Sequence, residues 1–388
     1  MKRLICFGCL LGTILSTACE RLDDDRSLHV KEEENVYTLE EVARLLASVP
    51  IGQAQVGEVR DAVSASSENG YDDEYTMRNL FEVPGAGIGS ESTTRSDAYP
   101  EPLRDLLAAE VRRQYGTRGL DADAFLDALS SSDTQIYWPY SDQFDTETPP
   151  VITFDPGDNS VRNIGFIRKE DGSMEEIVVD EEMAMERPVW VINCNSDAAY
   201  KSLEMRRRED PDWGKGGGEI VVGTRATGKN SYFQTLVLRS IKLNRQFDSW
   251  FCGGSEIWVK CGAVEDFNAT TEAELKLYTP SITDFLIVVK RSQMGKRIPF
   301  NAVLVSEWTG MLDNCAFMMV EDDGGPQTAW KCSATVKFKS RSFGFDIEIP
   351  LHVRDDIIWR GALTRTYIER NSGVVGHFGD AELVLELI

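Results

Sequence analysis

The chain has 388 residues, with 64 Asp and Glu against 41 Lys and Arg, giving a formal net charge of −23. A surface this acidic repels phosphate backbones and anionic headgroups, which argues against nucleic acid as a partner. With 42 % hydrophobic residues, there is enough apolar side chain for two domains.

At the N-terminus Lys2 and Arg3 precede an uncharged, largely apolar run from Leu4 to Leu15, followed by the small residues Ser16, Thr17 and Ala18. A dozen residues or so fall short of the ~20 that a helix needs to span a bilayer, so residues 1–18 read as a cleavable signal peptide. Its removal takes Lys2 and Arg3 away and leaves the chain more acidic still.

The hexapeptide Ile14-Leu15-Ser16-Thr17-Ala18-Cys19 resembles the lipobox of bacterial lipoproteins, although that family prefers leucine where Ser16 stands. The resemblance implies that the Cys19 thiol carries diacylglycerol and becomes the mature N-terminus. The chain would then be an exported protein, lipid-anchored at the outer membrane or cell surface. Two or more acyl chains hold firmly, because each buried methylene contributes about 0.8 kcal/mol. Plain secretion with a free Cys19 is the alternative. Glu20-Arg21-Leu22-Asp23-Asp24-Asp25 is similar to the acidic surface-export tag of lipoproteins from the Bacteroidota, which implies display outside the cell. The same composition fits a solvated tether, and either way residues 19–35 form a disordered acidic segment.

Beyond the tether the expected class is α+β, in three parts. Residues 36–193 should hold a helical segment and a small antiparallel sheet, 194–218 a linker, and 219–388 a mainly-β sandwich. Thr38 and Glu41 fit a capping box, and Leu39, Val42, Leu45, Leu46 and Val49 share one helical face up to Pro50. A second amphipathic run spans about 100–115 with Gly116 as its stop, and a third starts from a cap at Asp121. Between the first two, Gly85-Ala86-Gly87-Ile88-Gly89-Ser90 reads as a mobile loop. From residue 135 the period changes to short β-rich runs, 136–138, 151–154, 164–167, 177–179 and 189–192. The polar stretch 195–218 ends in Gly216-Gly217-Gly218 and marks the boundary. After it, strand patterns recur at 219–222, 233–243, 256–261, 285–289, 302–305, 316–320, 335–338, 345–351 and 383–387, as in a sandwich.

Asp248 precedes the strand Glu256-Ile257-Trp258-Val259, and Glu321-Asp322-Asp323 follows the strand Cys315–Val320. This order of strand, acidic loop and strand looks like a C2-type sandwich, over less than half the chain. The resemblance implies a calcium site at one tip, with Asp248, Glu321, Asp322 and Asp323 as ligands. Calcium takes six to eight oxygens, and weak flexible sites fill at millimolar concentrations. Asp322-Asp323-Gly324-Gly325 equally suits a tight hairpin turn needing positive φ. If that turn is centred between Asp323 and Gly324, Cys315 and Cys332 become cross-strand neighbours able to form a disulfide in an oxidising compartment, with two buried free thiols as the alternative. Cys252 and Cys261 are a second possible pair across Gly253-Gly254.

Enzyme signatures are sparse. Gly223-Thr224-Arg225-Ala226-Thr227-Gly228-Lys229-Asn230 nearly fits a P-loop, but Asn230 replaces the magnesium-binding hydroxyl and a strand-like run follows where a helix is needed. His29, His352 and His377 are the only histidines, and none has metalloprotease spacing or a nucleophile elbow to serve. No catalytic residue is assigned. Trp250 and Phe251, in a loop beside Gly253-Gly254, are candidate ligand-binding aromatics, and Tyr137-Trp138-Pro139-Tyr140 could stack on a sugar or fill a core. The expected function is a non-enzymatic, lipid-anchored protein binding a glycan or protein partner, with the membrane contacted through Cys19. The alternative is an extracellular hydrolase using carboxylates between the two folded parts.

Overall fold

The computed structural model describes residues 37–81, 99–158, 160–195, 200–209 and 233–388. Cys19, the acidic tether, the 85–90 loop, the near-P-loop at 223–230 and the strand expected at 219–222 lie outside them.

The first part runs α1 (Leu39–Ser48), α2 (Gln53–Glu68), β1 (Glu74–Thr76), α3 (Met77–Phe81), α4 (Leu103–Arg118), α5 (Ala122–Ser131), β2 (Thr134–Tyr137), β3 (Val151–Phe154), β4 (Arg162–Arg168), β5 (Met174–Asp180), α6 (Glu181–Glu186) and β6 (Val189–Cys194). Thr38 caps α1 by accepting the Glu41 N–H at 3.1 Å. The return half of the expected box is absent, because the Glu41 carboxylate accepts from the Tyr115 hydroxyl at 2.8 Å instead. Asp121 caps α5 through the N–H groups of Asp123 and Ala124. The stop of α4 is Gly119, in the left-handed region, rather than Gly116.

The strands form one sheet in the order β1-β2-β6-β3-β4-β5. It is antiparallel except for β3 against β6, which run parallel. Alternation splits its residues cleanly between two faces. Trp190, Ile192, Ile152 and Phe166 pack under the helices with Val42, Leu46 and Leu107. Val189, Val191, Val151 and Val179 face the other way.

Next come α7 (Leu203–Glu209), inside the stretch expected as a linker, and then β7 (Gln234–Leu243), β8 (Ser255–Ala263), α8 (Glu272–Leu275), β9 (Ser281–Val289), β10 (Ile298–Trp308), β11 (Leu312–Glu321), β12 (Gln327–Phe338), β13 (Arg341–His352), β14 (Asp356–Thr364), α9 (Arg365–Asn371), β15 (Val375–Phe378) and β16 (Ala381–Leu387). One sheet has the order β10-β7-β16-β15. The other is β13-β12-β11-β8-β9, with β14 also paired to β11. Leu236, Leu238, Leu304, Trp308, Phe317 and Met319 belong to the core of this sandwich. Leu203 of α7 joins that core, and the Leu286 N–H donates to the Tyr200 hydroxyl at 2.6 Å, so the described end of the expected linker is docked on the sandwich.

Residues Tyr37–Ile388 form one compact unit. Its two halves are joined by the connection between β7 and β8. Trp250 and Phe251 from that connection insert among Tyr137, Tyr140, Val151, Val189 and Val191 on the open face of the first sheet. Gly254 N–H donates to Asp72 Oδ2 at 2.7 Å, and Lys290 Nζ lies 2.8 Å from Asp73 Oδ1. A Cβ on Gly254 would sit 2.6 Å from the Val289 carbonyl oxygen, so only glycine permits this approach.

Candidate cation site at the sandwich tip

The central strand β11 sets the site. At its last residue, Glu321 lies level with Ile257 of β8 on one side and Asp356 of β14 on the other. Being central places the Glu321 side chain inside, with 0 % exposure. Asp248 approaches from the β7–β8 connection, and Asp323 from the β11–β12 connection. Carboxylate oxygens of Asp248, Glu321 and Asp323 lie within 4.8 Å of one another.

Glu321 Oε1 accepts the Glu256 N–H at 3.4 Å, whereas Oε2 is buried and meets no donor among the described residues. The Asp248 carboxyl lies against it, so two acceptor groups face each other with nothing to donate. A shared proton or a cation must occupy the gap. Burial, and then the negative Asp248 beside it, push the Glu321 carboxyl up to about 11. Burial also raises Asp248, against the opposing pull of Glu321 as a hydrogen-bond partner and of the Arg291 guanidinium. Asp323 is pushed up to about 6 by burial, then by the charges of Asp248 and Asp356. Asp323 is exposed, Asp248 half-buried and Glu321 buried, so the cluster opens to solvent on the Asp323 side.

Asp322, expected as a fourth ligand here, faces elsewhere. Its Oδ1 accepts the Gly324 N–H at 3.1 Å and lies 3.1 Å from His352 Nδ1, while Oδ2 accepts Trp258 Nε1–H at 3.0 Å. Burial raises its pKa, but these hydrogen bonds outweigh that and hold it below the usual carboxylate range. The reason is alternation, since consecutive residues leaving a strand point to opposite sides. Gly324 and Gly325 do adopt positive φ, as the turn reading required. The hairpin is nonetheless not tight, because residues 322–326 separate β11 from β12.

The chain matches no protein-family model, no curated protein and no solved structure.

Two expectations are corrected by the packing. Trp250 is 3 % exposed and Phe251 is fully buried, so neither forms a ligand platform. Trp250 Nε1–H donates to the Val161 carbonyl at 3.1 Å, which ties the aromatic pair into the core between the halves. Tyr137, Trp138 and Tyr140 are buried as well, so of the two readings open for them the core one holds. The disulfides are absent: Cys252, Cys261, Cys315 and Cys332 are all free. Strands β11 and β12 pair only at Leu312 with Val336 and Asn314 with Thr335, far from the turn. Past that point β14 takes the edge of β11, leaving Cys315 opposite Leu363, while β12 departs with β13 and sets Cys332 opposite Ile347. Cys252 is exposed near Asp155, and Cys261 is buried against Cys315.

Two residues of the tip were missed from sequence. His352 ends β13 and Asp355 lies in the turn to β14, and with Asp322 they form a second convergent cluster. Strand β14 carries no alternation signal of its own, so nothing placed that turn beside the 322–326 connection.

Proposed function

We propose that the chain is an exported, lipid-anchored binding protein whose sandwich tip holds calcium between Asp248, Glu321 and Asp323. The carrying observation is Glu321 Oε2, a buried carboxylate oxygen with no donor, facing a second carboxylate. Two oxygens on opposite sides of a calcium ion are at most about 5 Å apart, given Ca–O distances of about 2.3–2.6 Å. The separations within the cluster fit that span. Water and the exposed Asp323 complete the shell on the open side. A glycan or protein partner then meets the tip with calcium as part of its surface.

The hydrolase reading has a facing carboxylate pair in its favour, but Glu321, the group held most firmly protonated, is enclosed by protein and reaches no substrate. The anchor rests on the Ile14–Cys19 segment and the acidic residues after it. No described helix is long and apolar enough to cross a membrane.

Thermal melting of the purified chain in chelator and in millimolar calcium tests the ion. A higher melting temperature in calcium, lost in Asp248→Asn, supports the reading, and coincident curves reject it. Metabolic palmitate labelling tests the anchor. Label that disappears in Cys19→Ala supports lipidation, and an unlabelled parent rejects it.

A further inference from the structure

We infer that Asp322, His352 and Asp355 form a second, separate ion position, selective for a zinc-class transition metal rather than calcium. Its three ligand atoms, Asp322 Oδ1, His352 Nδ1 and Asp355 Oδ1, lie within 4.8 Å of one another. The nitrogen is 3.1 Å from Asp322 Oδ1 and 3.6 Å from Asp355 Oδ1. A tetrahedral ion with bonds of about 2.0–2.1 Å sets its ligands about 3.4 Å apart, and the two measured separations bracket that value.

The second observation is Asp355 itself. Its side chain is 2 % exposed, and Oδ1 is buried with no hydrogen-bond partner among the described residues. The other oxygen, Oδ2, accepts the His352 N–H at 2.7 Å, which fixes the carboxylate so that the unpartnered oxygen faces the imidazole. A buried carboxylate oxygen left without a partner is costly, and a cation relieves that cost.

The surroundings are those of a held ligand set. Trp258 Nε1–H holds Asp322 through its other oxygen, Oδ2, and the Gly324 N–H donates to Oδ1, so outer partners fix this carboxylate as they orient metal ligands. The Val353 N–H donates to the Pro326 carbonyl at 3.0 Å, tying the two connections that carry the ligands. His352 is part-exposed, which leaves a solvent-side position for water or a partner's donor group. An imidazole nitrogen suits zinc, cobalt or nickel, whereas calcium prefers oxygen alone. No ligand is shared with the Asp248, Glu321 and Asp323 cluster, so the two sites stand or fall separately.

The test uses cobalt(II), whose visible spectrum reports its coordination, added to the chelator-treated full chain, with zinc competition and equilibrium dialysis. One cobalt per chain with four-coordinate visible bands, displaced by zinc, is expected. These bands should vanish in His352→Gln and in Asp355→Asn, and persist in Glu321→Gln. His352→Gln should keep its circular dichroism and its response to calcium, which separates metal loss from unfolding. Absence of cobalt uptake overturns the inference. So does uptake unchanged in His352→Gln, or intense near-ultraviolet charge-transfer absorption showing that thiolates hold the ion.

Discussion

Replacing Glu321 with glutamine separates a cation ligand from a mere hydrogen-bond partner. An unfolded glutamate ionises near 4.5, whereas the folded side chain is pushed up to about 11 and keeps its proton at pH 7. A raised acid pKa means that folding takes up a proton, so this group's contribution to stability is complete below about 4.5 and declines as pH rises. At 1.4 kcal/mol per pH unit, the 2.5 units up to pH 7 cost about 3.5 kcal/mol. Glutamine has nearly the same shape, carries no such cost, and offers an N–H toward Asp248. In chelator at pH 7, Glu321→Gln should therefore melt several degrees higher than the parent, and the gap should close toward pH 4.5. Calcium should close most of that gap. It stabilises the parent by about 2.7 kcal/mol at a hundred times its dissociation constant, and leaves the variant unchanged. Differential scanning calorimetry across pH, with and without calcium, reads both effects. A variant less stable than the parent in chelator, or one that retains the calcium shift, would mean that Glu321 is not a cation ligand.

Other consequences are measurable. Trp250→Ala empties the junction between the halves and removes the donor to the Val161 carbonyl, so urea unfolding should show a loss of about 3–5 kcal/mol; a loss under about 1 kcal/mol would contradict the burial. Asp73, beside Lys290, is pushed up to about 6 by burial and then by Asp72, so its stabilising protonation is lost as pH rises from 3.8 through 6. Asp73→Asn keeps an acceptor for Lys290 and should flatten that fall, at most about 3 kcal/mol, in melts between pH 4 and 7. Lys339 and Ser340 form the two-residue turn of the β12–β13 hairpin with φ of 46° and 65°. Ser340→Gly should stabilise the chain by about 0.5–1 kcal/mol in the same melts, and no gain would mean that the turn carries little strain.

Local signals were legible in the sequence, and long-range ones were not. Thr38 and Asp121 cap the helices they were expected to cap, and most β-rich runs after 233 became strands. Helix α2 was missed because Val56, Val59 and Val63 are its only large buried apolar residues, set among Ala, Ser and Gly. The convergence of Asp248 with Glu321 and Asp323 was an expectation of the C2-type resemblance and no local signal carried it, while the divergence of Asp322 turned on one residue's direction. The cysteine pairing failed for a related reason. Symmetric zipping from a turn assumes that the two strands stay neighbours, and here β14 displaces β12 from β11 beyond Asn314. Trp250 and Phe251 looked exposed because a loop with paired glycines usually is. Here the glycines instead let the loop approach Asp72 and Val289 closely, which carries the aromatic pair into the first sheet.

The most direct measurement is a calorimetric titration of calcium into the chelator-treated chain, alongside Asp248→Asn. Saturable binding of a single calcium ion, complete within millimolar calcium and abolished in the variant, is the expected result. Absence of saturable binding in the parent, or equal binding by the variant, would contradict it.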